Sequence, residues 1–276
     1  MVPFKKVAII GVGLIGGSIA LALKKKSLAK EIVGVCRHKS SILTAKKSGI
    51  IDSGSCDLNI IRGADLVILA TPVGTIKKLA PKVAEIIDPC AIVTDVGSTK
   101  EEIASSLHKL FLRFVPAHPL AGSEKRGVSN ADSGLFKDTL CIITPSLRSE
   151  RKALMKIKDM WESLGAKVEF LTPKQHDILL AGVSHLPHVL AFSLINAIPD
   201  KSLKFAPSSL KDMTRIASSD GSLWADIFLS NRKNLIKSID LFLRFLNVAR
   251  GSLRSKDKKR LENFLYQAGC KRKIIE

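Results

Sequence analysis

Three features predict an α/β fold in two parts, an N-terminal doubly wound domain over residues 1–171 and a C-terminal all-helical domain over 172–276. Short apolar runs separated by helix-length intervals recur up to about residue 171. A glycine cluster stands between the first such run and the first helical pattern. From Thr172 onward strand-like runs vanish and long helical patterns take over. Such alternation builds parallel sheets covered by helices on both faces, because a parallel crossover needs a helix-length connection.

The first strand, 7–11 (VAIIG), leads through Gly11-Val-Gly13-Leu14-Ile15-Gly16-Gly17 into a helix over 14–26, and a second strand follows at 31–35 (EIVGV). Gly11 permits a tight turn, Gly13 leaves the backbone open to a pyrophosphate, and Gly16 lets the helix pack close to the strand. The unpaired N–H groups and positive dipole end of the helix favour a phosphate there. In this context the cluster, with Leu14 and Ile15 in its turn, reads as a dinucleotide-binding βαβ unit. A glycine-rich turn in an ordinary α/β protein is the alternative. An NAD site calls for Asp or Glu about 20 residues past the glycines, to bind the ribose 2′-OH. Here that place holds Cys36, followed by Arg37, His38, Lys39, Ser40 and Ser41. Cationic and hydroxyl groups suit a 2′-phosphate, so NADP is favoured; a solvated basic loop leaves NAD open.

Further strands are expected at 66–70 (LVILA), 91–95 (AIVTD), 113–117 (RFVPA), 139–144 (TLCIIT) and 167–171 (KVEFL), with helices at 40–48, 74–87, 99–110 and 149–164. In the second part helices are expected at 174–198, 208–218, 220–229, 231–254 and 256–268. Leu235, Ile239, Phe242 and Leu246 repeat at helical spacing on one face. That stripe must be buried against the sheet domain, its own half or a second copy, and a homodimer through this half is expected.

The length of 276 residues fits about two domains. Forty-four basic against 25 acidic residues give +19, but the lysines are spread along the chain with no recognition-helix, zinc-finger or RNA-stacking motif. The charge therefore reads as solubility and attraction of a small anionic substrate and cofactor, not nucleic acid. Cys36, Cys56, Cys90, Cys141 and Cys270 are odd in number and form no CxxC pair. Reduced cytoplasmic thiols are expected, with no metal site. The apolar run after Lys5-Lys6 contains the glycine cluster, which fits a buried strand and helix better than a secretory leader. No other glycine-poor apolar run reaches about 20 residues, so no membrane contact is expected.

Open α/β sheets bind ligands beyond the carboxyl ends of their strands. Thr71-Pro72, after LVILA, either borders the nicotinamide half of a cofactor or is a structural turn. Ser98, after AIVTD, is an N-cap for the helix 99–110, a group that holds a substrate hydroxyl or orients a base, or both. His118 ends FVPA, precedes Pro119 and has Glu124 six residues on. Oxidation of an alcohol carbon needs a base for the hydroxyl proton, and imidazole titrates near working pH. His185 and His188 lie at i, i+3 and share a helical face, with hydrogen bonding to substrate preferred over metal ligation. Arg215 stands in an apolar, hydroxyl-bearing stretch, where a buried guanidinium needs a carboxylate, from Asp212 or from the substrate.

Taken together, GVGLIGGSIALALK, LATPV, DVGSTK, HPLAGSEKRGV, VSHLPH and LKDMTRIASSD…W resemble the prephenate/arogenate dehydrogenase family of tyrosine biosynthesis, over about residues 5–250. The resemblance implies a Rossmann domain with a helical dimerisation domain. It implies oxidative decarboxylation of prephenate to 4-hydroxyphenylpyruvate, or of arogenate to tyrosine, with hydride transfer to NAD(P)+. It makes His118 the base on the C4 hydroxyl, Ser98 the residue that orients this histidine and the nicotinamide, and Arg215 the grip on a substrate carboxylate. His185 or His188 becomes a further substrate contact, with Glu124 and Asp212 beside the substrate or behind its contacts. Cys36-Arg37 departs from the acidic ribose contact common in the family. An end near residue 276 leaves no room for a chorismate mutase fusion or a regulatory module. The competing expectations are another two-domain reductase, of β-hydroxyacid dehydrogenase or pyrroline carboxylate reductase type, and a non-catalytic NADP-binding regulator.

Overall fold

The computed structural model describes residues 2–122, 127–147 and 149–275. Its strands are β1 Phe4–Ile10, β2 Ala29–Val35, β3 Ser53–Ser55, β4 Leu66–Leu69, β5 Ile92–Asp95, β6 Phe114–Pro119, β7 Leu140–Ile143 and β8 Lys167–Phe170. They form one sheet in the order β3-β2-β1-β4-β5-β6-β7-β8. Helices α1 Leu14–Lys25, α2 Lys39–Lys47, α3 Val73–Ala84, α4 Glu101–Leu107 and α5 Arg151–Ser163 cover it. Along β1, Val7 and Ile9 enter one apolar cluster while Ala8 and Ile10 enter the other. Successive strand residues point to opposite faces, so a strand apolar throughout is buried on both sides, as a doubly wound sheet requires.

The fully parallel expectation holds from β1 to β6 and fails at β7, which runs antiparallel to β6. Between those two strands the described residues include one short helical turn, Val128–Asn130, and no crossover helix, so the chain returns alongside β6. β8 follows α5 and is parallel to β7. The short edge strand β3, Ser-Gly-Ser, carries no apolar pattern and was not legible in the sequence.

The second half comprises α6 Pro173–Leu180, a π-helical turn Ala181–His185, α7 Leu186–Asn196, α8 Asp200–Leu203, α9 Ser208–Thr214, α10 Gly221–Ser230, α11 Arg232–Arg254 and α12 Lys258–Arg272. Asp220 caps α10 by accepting Leu223 N at 2.6 Å, and Asp257 caps α12 by accepting Arg260 N at 2.9 Å. The stripe expected on α11 is only partly covered within one chain: Leu235 is buried, whereas Leu246 is 52% exposed. Contrary to the reading of the apolar runs, the helical stretch Pro173–Asn196 is long and apolar enough to cross a bilayer by length and composition. Its His176, Asp177 and His185 are buried and hydrogen-bonded to other elements, whereas Ile178, Leu179 and Val183 are exposed.

Candidate active site

The glycine turn between β1 and α1 is set by close packing. Gly11 has φ +101°, and a Cβ there would lie 2.6 Å from the Ala70 carbonyl oxygen; one on Gly16 would lie 2.2 Å from the Gly11 carbonyl oxygen. A Cβ on Gly13 would meet nothing within 4 Å. Gly11 and Gly16 are thus demanded by the fold, while Gly13 borders open space at the start of α1. That space belongs to a cleft of about 640 Å³ lined by Gly13, Leu14, Ile15, Thr71, Pro72 and Ser98, with Trp224 and Asp226 from the helical half. A bare backbone at a helix N-terminus facing a cleft fits a dinucleotide pyrophosphate. Gly13→Ala is expected to lower stability only by the modest cost of losing a glycine N-cap on α1, and to weaken cofactor binding by at least about tenfold, since the added Cβ points into open cleft space. Fluorescence titration with the dinucleotide checks this, and unaltered affinity would contradict it.

Arg37 is exposed just past β2 and lies outside the lining of this cleft. Cys36 takes the place of the expected carboxylate: its thiol is buried, hydrogen-bonded to the Val12 backbone, and pushed up by burial.

Ser98 does not cap the following helix. α4 begins at Glu101, and the free N–H groups of Lys100 and Glu101 donate to the two carboxylate oxygens of Asp177 at 2.7 and 2.9 Å. A carboxylate from α6 therefore does the capping, which leaves half-buried Ser98 on the cleft wall.

His118 lies in β6, half-buried, three residues before Ala121 of the cleft wall. Its Nδ1 is 2.8 Å from Nε2 of His176, whose Nδ1 is 2.8 Å from Oδ1 of Asp177. α6 is locked at its start by a reciprocal capping box: Thr172 Oγ1 accepts Gln175 N at 3.2 Å, and Gln175 Oε1 accepts Thr172 N at 2.9 Å. That box places His176 and Asp177 against the sheet. Asn231 Nδ2 donates to the Asp177 carbonyl at 2.7 Å and lies 3.2 Å from Nδ1 of His185. Burial first, then the repulsion that protonation of His118 would meet from a protonated His176, from Lys100 and from a protonated His185, hold His118 well below the ordinary histidine range. Burial likewise lowers His176 and pushes His185 down to about 4. These imidazoles are neutral at neutral pH.

Lys100 is fully buried. Its Nζ pairs with Asp95 and donates to the Ala117 carbonyl at 2.8 Å, and Asp95 also accepts Gly97 N at 2.8 Å. The ammonium therefore ties the end of β5 to the residue just before His118. Lys100, His176 and Asp177 had no role in the sequence reading. A His-Asp pair inside an apolar helix, straight after Thr-Pro-Lys-Gln, was the signal that could have found the last two.

His185 closes the π-helical turn with right-handed helical angles and His188 stands in the first turn of α7, three residues on. They meet at Trp224: the His188 ring stacks on it with centroids 3.5 Å apart, and the buried His185 approaches it edge-on at 6.2 Å. The expectation of a buried guanidinium fails, since Arg215 and Asp212 are both exposed on the short elements around α9. Arg215 remains close enough for its charge to lower His188. Glu124 lies outside the described residues. Among the described residues no cluster of three or more His, Cys, Asp or Glu is arranged for a metal.

The depressed histidines carry a stability cost in acid. An unfolded chain binds a proton on each near pH 6.5, whereas the folded chain resists it, so stability must fall as pH drops below about 6.5. For His185 alone the loss approaches ~3 kcal/mol by pH 4. Denaturant midpoints at pH 7.5 and 5 are expected to differ accordingly, and equal midpoints would contradict the burial of neutral imidazoles.

The family model for the nucleotide-binding domain of prephenate dehydrogenase matches residues 19–170, and that for its dimerization domain matches residues 172–267. The prephenate dehydrogenase of Bacillus subtilis is 32% identical over 273 residues, which cover 95% of this chain and 74% of that protein. The structure of prephenate dehydrogenase from Aquifex aeolicus, in complex with hydroxyphenyl propionate and NAD+, superposes with a TM-score of 0.94 at 35% identity, covering 99% of this chain and 98% of that one. Synechocystis arogenate dehydrogenase superposes with a TM-score of 0.84 at 28% identity, covering 98% and 100%.

Proposed function

The chain belongs to the prephenate dehydrogenase family of NAD(P)-dependent dehydrogenases, and from that premise we propose that it oxidatively decarboxylates prephenate to 4-hydroxyphenylpyruvate, or arogenate to tyrosine. The observation that carries this reading is a neutral imidazole, His118, held by His176 at the carboxyl end of β6, three residues before Ala121 in the wall of the cleft built on the glycine turn.

A bound nicotinamide dinucleotide supplies the acceptor for the hydride leaving C4. Ser98 and His118 hold the C4 hydroxyl. His118 takes its proton at Nε2, the nitrogen that His176 does not engage. Arg215 grips a carboxylate of the substrate, with Asp212 beside it, and Trp224 with His185 and His188 forms the adjoining wall. Loss of the ring carboxylate as CO2 leaves an aromatic ring, which makes the step strongly downhill. The protein's task is orientation and exclusion of water.

NADP is the favoured cofactor, on Cys36 in place of a carboxylate and on the exposed Arg37, His38, Lys39 cluster. Arg37→Ala is expected to raise KM for NADP about tenfold and to change KM for NAD less than twofold. Equal changes would remove the argument. A homodimer is supported by the match to a dimerization domain and by the uncovered apolar residues Ile178 and Leu179 on α6, Val183 on the π-turn and Leu241, Phe245 and Leu246 on α11. The dispersed free thiols suit a reducing, cytoplasmic setting. Initial rates with prephenate and arogenate, each with NAD and NADP, test the reading. Turnover of one of the four pairs is expected, and none with any pair would overturn it.

A further inference from the structure

The line His118–His176–Asp177 has a direction. Both carboxylate oxygens of Asp177 face donors: Oδ1 takes Lys100 N and His176 Nδ1, and Oδ2 takes Glu101 N. An ionised carboxylate only accepts, so the proton of a neutral His176 must sit on Nδ1. Its Nε2 then offers a lone pair, 2.8 Å from Nδ1 of His118. The His118 proton is drawn to Nδ1 in turn, and its Nε2 is left bare. Free neutral imidazole prefers the opposite form, with the proton on Nε2, so the surroundings select the less favoured tautomer.

We propose that His176 and Asp177 are positioning residues that fix the tautomer of His118, so that its Nε2 is the free base presented to the substrate. This deepens the reading of His118 as the base and rests on it. The two positioning residues stand in the helical half and His118 in the sheet, so correct docking of the two halves and correct protonation of the base are one event.

The neighbours of the line agree with this direction. Lys100, held by Asp95 at the end of β5, faces both rings and opposes a second proton on either. Buried His185 adds to that opposition at His118. On the β7 side stands Cys141, whose thiol is hydrogen-bonded to the His118 backbone and is kept protonated by burial. Each group favours two neutral rings sharing one directed hydrogen bond.

The test uses the full-length protein labelled with ¹⁵N in its histidine rings, read by long-range ¹H–¹⁵N correlation at pH 7.5 without any ligand. The wild-type protein is expected to show His118 protonated on Nδ1. His176→Phe leaves the Asp177 cap on α4 in place, removes the acceptor for His118 Nδ1, and is expected to move the His118 proton to Nε2. kcat should then fall about 10²–10⁴-fold, with KM changed less than about threefold and cofactor affinity unchanged. Asp177→Leu, which removes the acceptor that holds the His176 proton on Nδ1, is expected to give the same tautomer change where it folds. A wild-type His118 protonated on Nε2, or an Nδ1 proton retained in the variants, overturns the proposal. Should His118→Asn abolish turnover while the variants keep the Nδ1 proton, the base reading stands and the positioning role falls. Should His118→Asn stay active while the tautomer switches as described, the base reading falls and the positioning geometry stands.

Discussion

His118→Asn is expected to lower kcat about 10²–10⁴-fold, while the dissociation constant of the dinucleotide stays within twofold of wild type. The separation follows from the geometry. The cleft that fits the cofactor is walled by Gly13, Thr71, Pro72 and Ser98, and His118 stands outside that wall on β6. Asparagine keeps a polar group near His176 but provides no basic nitrogen. The wild-type rate should also be flat from about pH 6.5 to 8, because burial and the positive Lys100 hold His118 below the usual histidine range and keep it ready to accept a proton. Initial rates of reduced-cofactor formation check both points. A variant with more than a tenth of the wild-type rate would remove His118 as the base.

Lys100→Met is expected to destabilise the fold by about 3–5 kcal/mol, because it leaves the Asp95 carboxylate buried without its cation. It also strips a donor from the Ala117 carbonyl, next to His118. The double variant Lys100→Met with Asp95→Leu removes both charges and should recover at least half of the loss, since apolar replacement of a whole buried pair is often neutral or better. Urea midpoints of the three proteins decide it. Equal stability of the single and double variants would show that the pair is not what holds the ends of β5 and β6 together.

The sequence was most informative where local chemistry alone decides structure. The glycine turn, the paired faces of β1 and the helix starts at Asp220 and Asp257 all depend on residues a few positions apart. It was least informative where a distant residue overrides the local rule. Ser98 looked like a cap, but Asp177, from another half of the chain, supplies the carboxylate for α4. β7 carried a good strand pattern whose direction depended on a missing crossover helix, a property of the connection and not of the strand. Arg215 was read as buried from its apolar neighbours, but Ile216 and Ala217 are only half-buried and Met213 is exposed within one chain. The positioning pair His176–Asp177 escaped notice because histidine and aspartate adjacent on a helix signal nothing until a third residue, His118, is brought to them by the sheet.

The most direct measurement is the stoichiometry of CO2 release against reduced cofactor, with prephenate labelled at its ring carboxylate. One CO2 per reduced nicotinamide, with an aromatic product, is the expected result. Reduced cofactor without CO2 would mean simple alcohol oxidation on a shared fold, and would contradict the assignment.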